Sequence, residues 1–265
     1  MRPLIAGNWK MHGLAPQLAQ IEAIAVSVKA DPPGADVLIC VPATLIARAA
    51  QVAAGRIAIG GENCAAATAG AFTGDVSAEM LAGAGAMAVI VGHSERRRLH
   101  GETDADVAAK AKAAWRAGLA TIICIGETGA QRRAGKAQSV CAAQIDGSVP
   151  EGMAGAVNAI GYEPLWAIGS GRVPDRAEIV EMHGYIRQRL ESRLGAEGKL
   201  VRILYGGSVK PANAEAILAL AEVGGALVGG VSLEAGEFEA IIRAVPADHA
   251  PAGDAPVRMR APASG

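Results

Sequence analysis

Short aliphatic runs recur along the chain at residues 4–6, 37–41, 57–60, 87–91, 119–125, 157–161, 201–204 and 226–228. Between them lie longer segments rich in Ala, Leu, Glu, Lys, Arg and Gln, such as 14–29, 104–117 and 175–194. A short apolar run without polar alternation predicts a strand buried on both faces, whereas the longer mixed segments predict helices. Strand followed by helix, repeated, requires parallel pairing through right-handed crossovers, and either an open doubly wound sheet or a closed barrel satisfies that. Eight runs at fairly even spacing, with no G-x-G-x-x-G after the first, favour an α/β protein of the (β/α)8 barrel type. One catalytic domain is expected over residues 1–245. From 246 to 265 the apolar periodicity stops and Pro, Ala and Gly dominate, which predicts a poorly ordered tail.

Composition narrows the picture. Hydrophobic residues make up 51% of the chain and aromatics 3%, so the core must be built from Ala, Val, Ile and Leu. The formal net charge is -1, from 25 basic and 26 acidic residues, which supplies no global field for nucleic acid or an anionic membrane. No apolar run approaches the roughly 18 residues of a membrane span, and the N-terminus does not resemble a secretory signal. Cys40, Cys64, Cys124 and Cys141 show no C-x-x-C spacing, which predicts reduced thiols in a cytoplasmic protein and no metal site.

A barrel of this type carries its chemistry at the C-terminal ends of its strands, so the residues just after each run are the candidates. The first run delivers Asn8 and Lys10 in G-N-W-K-M, and the fourth delivers His93, Ser94 and Glu95 in V-G-H-S-E-R-R. A lone lysine after a strand is more often a solvated charge, and a lone histidine more often structural; their position raises the functional reading. Ser94 is expected to cap the following helix, whose N-terminal field disfavours imidazolium at His93. Arg96, Arg97 and Arg98 are expected to form a solvated face. The sixth run ends at Glu163, followed by Pro164 and the segment L-W-A-I-G-S-G-R-V, which together suggest a general base beneath a lid. The seventh and eighth runs end in Y-G-G-S-V and V-G-G-V-S. Paired glycines let main-chain N–H groups approach an anion closely, and these two loops are the usual phosphate site of such barrels. Residues 64–77 form a long connection carrying Phe72, expected to dock into another subunit, the alternative being that it folds back on its own barrel.

A carboxylate, an imidazole, an ammonium and an anion cradle suit proton transfer next to a carbonyl of a small phosphorylated substrate. Glu163 would remove the α-proton, His93 polarise the carbonyl and Lys10 stabilise the developing charge. No cofactor is called for. Two other readings are a Schiff-base lyase using Lys10 and a barrel that binds phosphate without catalysis.

In this order, G-N-W-K-M, G-H-S-E-R-R, Y-E-P-L-W-A-I-G-S-G, Y-G-G-S-V and L-V-G-G-V-S-L resemble the triosephosphate isomerase family, over essentially residues 2–243. The resemblance implies a cofactor-independent isomerase interconverting dihydroxyacetone phosphate and glyceraldehyde 3-phosphate through an enediolate, in glycolysis and gluconeogenesis. It implies Asn8 and Lys10 as substrate contacts supported by Glu95, with His93 as electrophile and Glu163 as base. Main-chain groups of Gly169, Ser208, Gly229 and Gly230 are implied for the phosphate. A homodimer is also implied, with residues 64–77 inserted beside the partner's site through Phe72, Thr73 and Asp75. The sequence departs from the family at Asp75, where Glu is usual, at Ser170 and Arg172, where Thr and Lys are commoner, and at Val231, where Ala is commoner.

Overall fold

A computed structural model describes residues 1–168 and 174–246. Eight strands form a closed barrel in sequence order: β1 (Leu4–Asn8), β2 (Asp36–Cys40), β3 (Ala58–Gly61), β4 (Ala88–Val91), β5 (Ala120–Ile125), β6 (Ala159–Tyr162), β7 (Arg202–Tyr205) and β8 (Gly225–Val228). Every neighbour pair is parallel. The seam is β1 against β8, with Leu4 opposite Gly225 and Gly7 opposite Val228. Trp9 reinforces it by donating its indole N–H to the Ser232 carbonyl at 3.0 Å.

Alternate residues of each strand point to opposite faces, and here both faces are apolar. Leu4, Ala6, Leu38, Ile90, Ile122, Leu204 and Leu227 fill the barrel interior. Their neighbours Ile5, Ile39, Val89, Ile123, Ile160 and Ile203 pack outward against Ile21, Ile24, Ile46, Ile145, Ile186 and Phe238 of the surrounding helices. Burial on both sides is why the runs read as continuous stretches. Each fully buried aliphatic side chain contributes about 1.5–3 kcal/mol. One departure is at the N-terminal end of the barrel, where Arg202 of β7 is buried and donates to Asp36 of β2 at 2.9 Å.

The helices begin where the local chemistry tells them to. Thr103 and Asp106 form a capping box ahead of helix Asp104–Arg116, and Asp175 and Glu178 form one ahead of helix Arg176–Leu194. Each satisfies main-chain N–H groups that the first turn leaves without partners. The sequence-derived bounds for both helices lie within one residue of these. Among the described residues no helix is long and apolar enough to cross a membrane. The 247–265 part of the C-terminal tail and the lid positions Gly169, Ser170 and Arg172 lie outside the described residues.

Candidate active site

Parallel strands end on one rim, and the candidate residues gather there. Asn8 closes β1 and Lys10 follows two residues on; His93 stands two residues past β4, Glu163 one past β6, Gly206 one past β7 and Gly229 one past β8. Together with Gly207, Ser208, Gly230 and Val231 they line one cavity of about 260 Å³. Ile168 and Leu227 supply apolar walls. Glu95 does not line this cavity; it stands behind Lys10, accepting the ammonium at 2.6 Å. Lys10 itself adopts a left-handed backbone, φ 57°, uncommon for a residue with a side chain. Its N–H is taken by Asn8 Oδ1 at 3.1 Å.

Glu163 is 2% exposed and fully engaged. Its carboxylate accepts from the Ser94 N–H at 2.9 Å and the Ser94 hydroxyl at 3.1 Å, and its Oε1 lies 2.9 Å from His93 Nε2. Burial works against the charge, but His93 and the two Ser94 bonds prevail and hold the Glu163 carboxyl below its ordinary range. Unengaged at such depth, the same carboxylate would be a much stronger base.

Ser94 was expected to cap its helix, yet the cap of helix Ser94–His100 is His93, whose Nδ1 accepts the Glu95 N–H at 3.2 Å. The Ser94 hydroxyl is spent on Glu163 instead. This bond sets the tautomer, because an Nδ1 that accepts carries no proton and leaves Nε2–H to donate. Burial disfavours charge on His93, while the Glu163 and Glu95 carboxylates favour it and lift its pKa. The helix N-terminus and the Nδ1 bond act in the opposite sense, and losing the Glu163 contact would shift His93 toward the neutral ring.

The glycine pair after β7 has a steric reason. A side-chain carbon at Gly206 would meet the Tyr162 carbonyl at 2.9 Å and Glu163 Cγ at 3.1 Å; one at Gly207 would meet the Tyr205 hydroxyl at 2.2 Å. Gly229 lies close to the Lys10 side chain, so the two glycine turns and the ammonium face one space.

Two features are missing from the sequence-based expectations. Glu127, two residues past β5, is fully buried and accepts from Tyr162 Oη at 3.2 Å and Trp166 Nε1 at 2.8 Å. Arg132 covers that indole at 5.0 Å, so the segment after Glu163 is anchored as far as Trp166. Arg97 is not part of a solvated face: it donates to the Gly92 and Cys124 carbonyls and to Ser148, and pairs with Asp104. Arg96 is bound to Glu102, and Arg98 is exposed.

On the opposite side of Lys10 lies a groove of about 740 Å³ whose rim includes Met11, Asp75 and Leu99. Met11 is 95% exposed, Leu99 65% and Phe72 54%. Thr73 and Asp75 are exposed as well. Phe72 therefore does not fold back on its own barrel.

A sequence model of the family described as Triosephosphate isomerase matches residues 3–245. The triosephosphate isomerase of Afipia carboxidovorans is 58% identical over 247 residues, covering 93% of this chain and 98% of that one. That of Ruegeria pomeroyi is 57% identical over 246 residues, covering 92% and 97%. The crystal structure of triosephosphate isomerase from Bartonella henselae superposes with a TM-score of 0.86 at 46% identity, covering 92% of this chain and 99% of that one.

Proposed function

The chain belongs to the triosephosphate isomerase family, and from that premise we propose how its own residues divide the work. The protein is a cofactor-independent isomerase that interconverts dihydroxyacetone phosphate and glyceraldehyde 3-phosphate, a step of glycolysis and gluconeogenesis. The observation that carries the assignment of roles is the contact of Glu163 with His93 and Ser94 at the mouth of a cavity ringed by Lys10 and the glycine pairs.

Glu163 is the base. Its resting bonds to Ser94 and His93 hold it back, and substrate in the cavity offers it a C–H in exchange. Turning toward that carbon releases the donors that depress its basicity, so movement and activation are one event. The Nε2–H of His93, freed at the same moment, polarises the carbonyl oxygen, and the neutral tautomer imposed by the Glu95 N–H lets it pass a proton between the two oxygens. Lys10, steered by Glu95, stabilises the enediolate oxygen, with Asn8 beside it. Ser208, Gly229 and Gly230 offer main-chain donors to the phosphate; Gly169, which the family resemblance also implies, lies outside the described residues.

Residues 1–245 act as a single catalytic domain, and the active form is a homodimer. Exposed Met11 and Leu99 on a groove beside Lys10, and exposed Phe72 on the segment that sends Asp75 to that groove, support this, since apolar side chains of that size left open mark an interface. The segment 64–77 of each copy, with Phe72, Thr73 and Asp75, enters the other's groove. Four buried, unbridged cysteines accord with the cytoplasm.

A Schiff-base lyase is disfavoured because Lys10 is held as an ammonium against Glu95 at 2.6 Å, whereas such a nucleophile must lose its proton. The test is direct: purified protein is given glyceraldehyde 3-phosphate, and formation of dihydroxyacetone phosphate is followed with a coupling dehydrogenase. Turnover without added cofactor is expected; a folded dimer without turnover refutes the assignment, and borohydride trapping of substrate on Lys10 supports the lyase instead.

A further inference from the structure

Pairing between β4 and β5 ends at Val91 opposite Ile123. The next residue, Gly92, turns away through a left-handed backbone, φ 68°, where a side-chain carbon would meet Val107 at 2.7 Å. Past that turn a side chain joins the two strand ends. Arg97, one turn into helix Ser94–His100, donates its Nε–H to the Gly92 carbonyl at 2.8 Å and an Nη2–H to the Cys124 carbonyl at 3.2 Å. The guanidinium is itself held from behind. Nη1 pairs with Asp104, Nη2 also donates to the Ser148 hydroxyl at 2.9 Å, and that hydroxyl donates on to Asp104 at 2.9 Å.

Both carbonyls adjoin the reacting groups. Gly92 precedes His93 and Ser94, and Cys124 precedes Ile125, whose carbonyl accepts the main-chain N–H of Glu163 at 2.7 Å. One planar fork thus ties the turn that presents His93 to the strand that holds the main chain of Glu163. Packing does not do this instead. Glu163 stands between the catalytic cavity and a second one of about 260 Å³, which Gly92, Ser94, Arg97 and Cys124 help to line. Close-packed side chains hold one another in place; beside an open cavity that task falls to hydrogen bonds.

We propose that Arg97 is a positioning residue for the isomerisation, a clamp that sets His93 and Ser94 at their distance from Glu163 without itself lining the catalytic cavity. The proposal rests on the roles given above to His93 and Glu163. A guanidinium suits the task because its N–H groups leave in fixed directions within one plane, whereas a lysine ammonium is a point charge on a flexible stem. Lysine facing Asp104 cannot span both carbonyls in that geometry.

Arg97→Lys therefore keeps the charge and removes the clamp. Misplacement of a reacting group by about 1 Å costs on the order of 10²-fold, so kcat should fall by about 10- to 100-fold. KM should stay within about threefold, since the contacts proposed for the phosphate lie on the turns after β7 and β8. Ile186→Val, a core truncation away from the rim, is the control: it should lower the thermal midpoint and leave kcat unchanged. The pH profile gives a second readout. The ionisable groups facing Glu163 are His93 after β4, the Cys124 thiol on β5, which burial keeps protonated, and Lys10 across the cavity. His93 and Ser94 hold the Glu163 carboxyl below its ordinary range; displaced donors hold it less, so the acid limb of kcat/KM should move to higher pH in Arg97→Lys and stay in place in Ile186→Val. Ser148→Ala, which removes one support of the guanidinium, is the milder variant should Arg97→Lys fail to fold, with kcat lowered by about threefold or more and the same direction of shift. A folded Arg97→Lys with kcat within about threefold of wild type overturns the proposal, as does a larger fall with an unmoved acid limb; where only Ser148→Ala folds, unchanged kcat and an unmoved limb do so. Absence of turnover in wild type, or an unaffected Glu163→Gln, would instead reject the reading on which the proposal rests.

Discussion

Replacing Glu163 by glutamine separates the charge of this side chain from its shape. The carboxylate accepts from three donors, the Ser94 N–H at 2.9 Å, the Ser94 hydroxyl at 3.1 Å and His93 Nε2 at 2.9 Å. An amide offers one acceptor oxygen and turns an NH2 toward whichever donor remains, which loosens the resting arrangement by about 1–3 kcal/mol. That cost falls on the ground state and slightly favours movement into the cavity. The chemical step suffers far more, because an amide cannot take a proton: loss of a positioned general base lowers kcat by roughly 10²- to 10⁴-fold, about 3–5 kcal/mol of barrier. KM should stay within about threefold, since the contacts proposed for the phosphate come from the glycine turns and not from residue 163. The assay is the coupled measurement of glyceraldehyde 3-phosphate isomerisation across pH. In wild type, kcat/KM falls as pH drops through the Glu163 pKa, which His93 and Ser94 hold below its ordinary value against the effect of burial. The acid limb should therefore lie below the usual glutamate range and vanish in the variant. A kcat within about threefold of wild type, in a variant with unchanged thermal midpoint, would refute the assignment and move the base elsewhere.

Lys10→Ala removes the charge that meets both substrate and transition state, so KM should rise and kcat fall, each by about tenfold or more in steady-state kinetics; normal constants would make Lys10 a surface charge. Phe72→Asp puts a charge where an apolar ring should enter a second copy, and sedimentation velocity should show a shift toward monomer; an unshifted mass rejects the docked loop. His183 is wholly buried, with its Nδ1 3.1 Å from the Glu222 carbonyl, and burial pushes its pKa down to about 4. The unfolded chain therefore binds that proton first, and about 3 kcal/mol of stability should be lost as pH falls from about 6.5 to 4. Urea midpoints measured over that window should drop less in His183→Asn than in wild type.

The strands were legible because a barrel buries both faces of each one, leaving uninterrupted apolar runs that hydropathy detects directly. Glu163, His93 and Lys10 were legible because they follow those runs closely, and the steric need for Gly206 and Gly207 shows as a doublet in the sequence. Hydropathy misses charged groups placed among apolar neighbours. Arg202 belongs to β7 and lies inside the barrel against Asp36, but a charge at a run's edge looks like a boundary. Arg97 sits amid three successive arginines, and nothing in the spacing of R-R-R distinguishes the one that turns inward to Asp104, Ser148 and two carbonyls. Glu62 and Glu127 were within reach. Glu62 follows β3 as closely as Glu163 follows β6, and Glu127 follows β5 as closely as His93 follows β4, so the rule that picked out Glu163 and His93 reaches both once it is applied to every acid on the rim.

The seam between β1 and β8 also bears on how the molecule is made. The partner of Leu4 is Gly225, and the Trp9 indole waits for the carbonyl of Ser232. During synthesis the first strand thus has an open edge until nearly the whole barrel has emerged, the kind of long-range pairing that slows folding and exposes strands to aggregation. The glycines of residues 229 and 230 arrive with that same last strand. A nascent chain stopped short of them lacks a closed wall and the proposed phosphate contacts together, so partial products of translation should be inert toward the triose pool, and activity should appear only when the ring shuts.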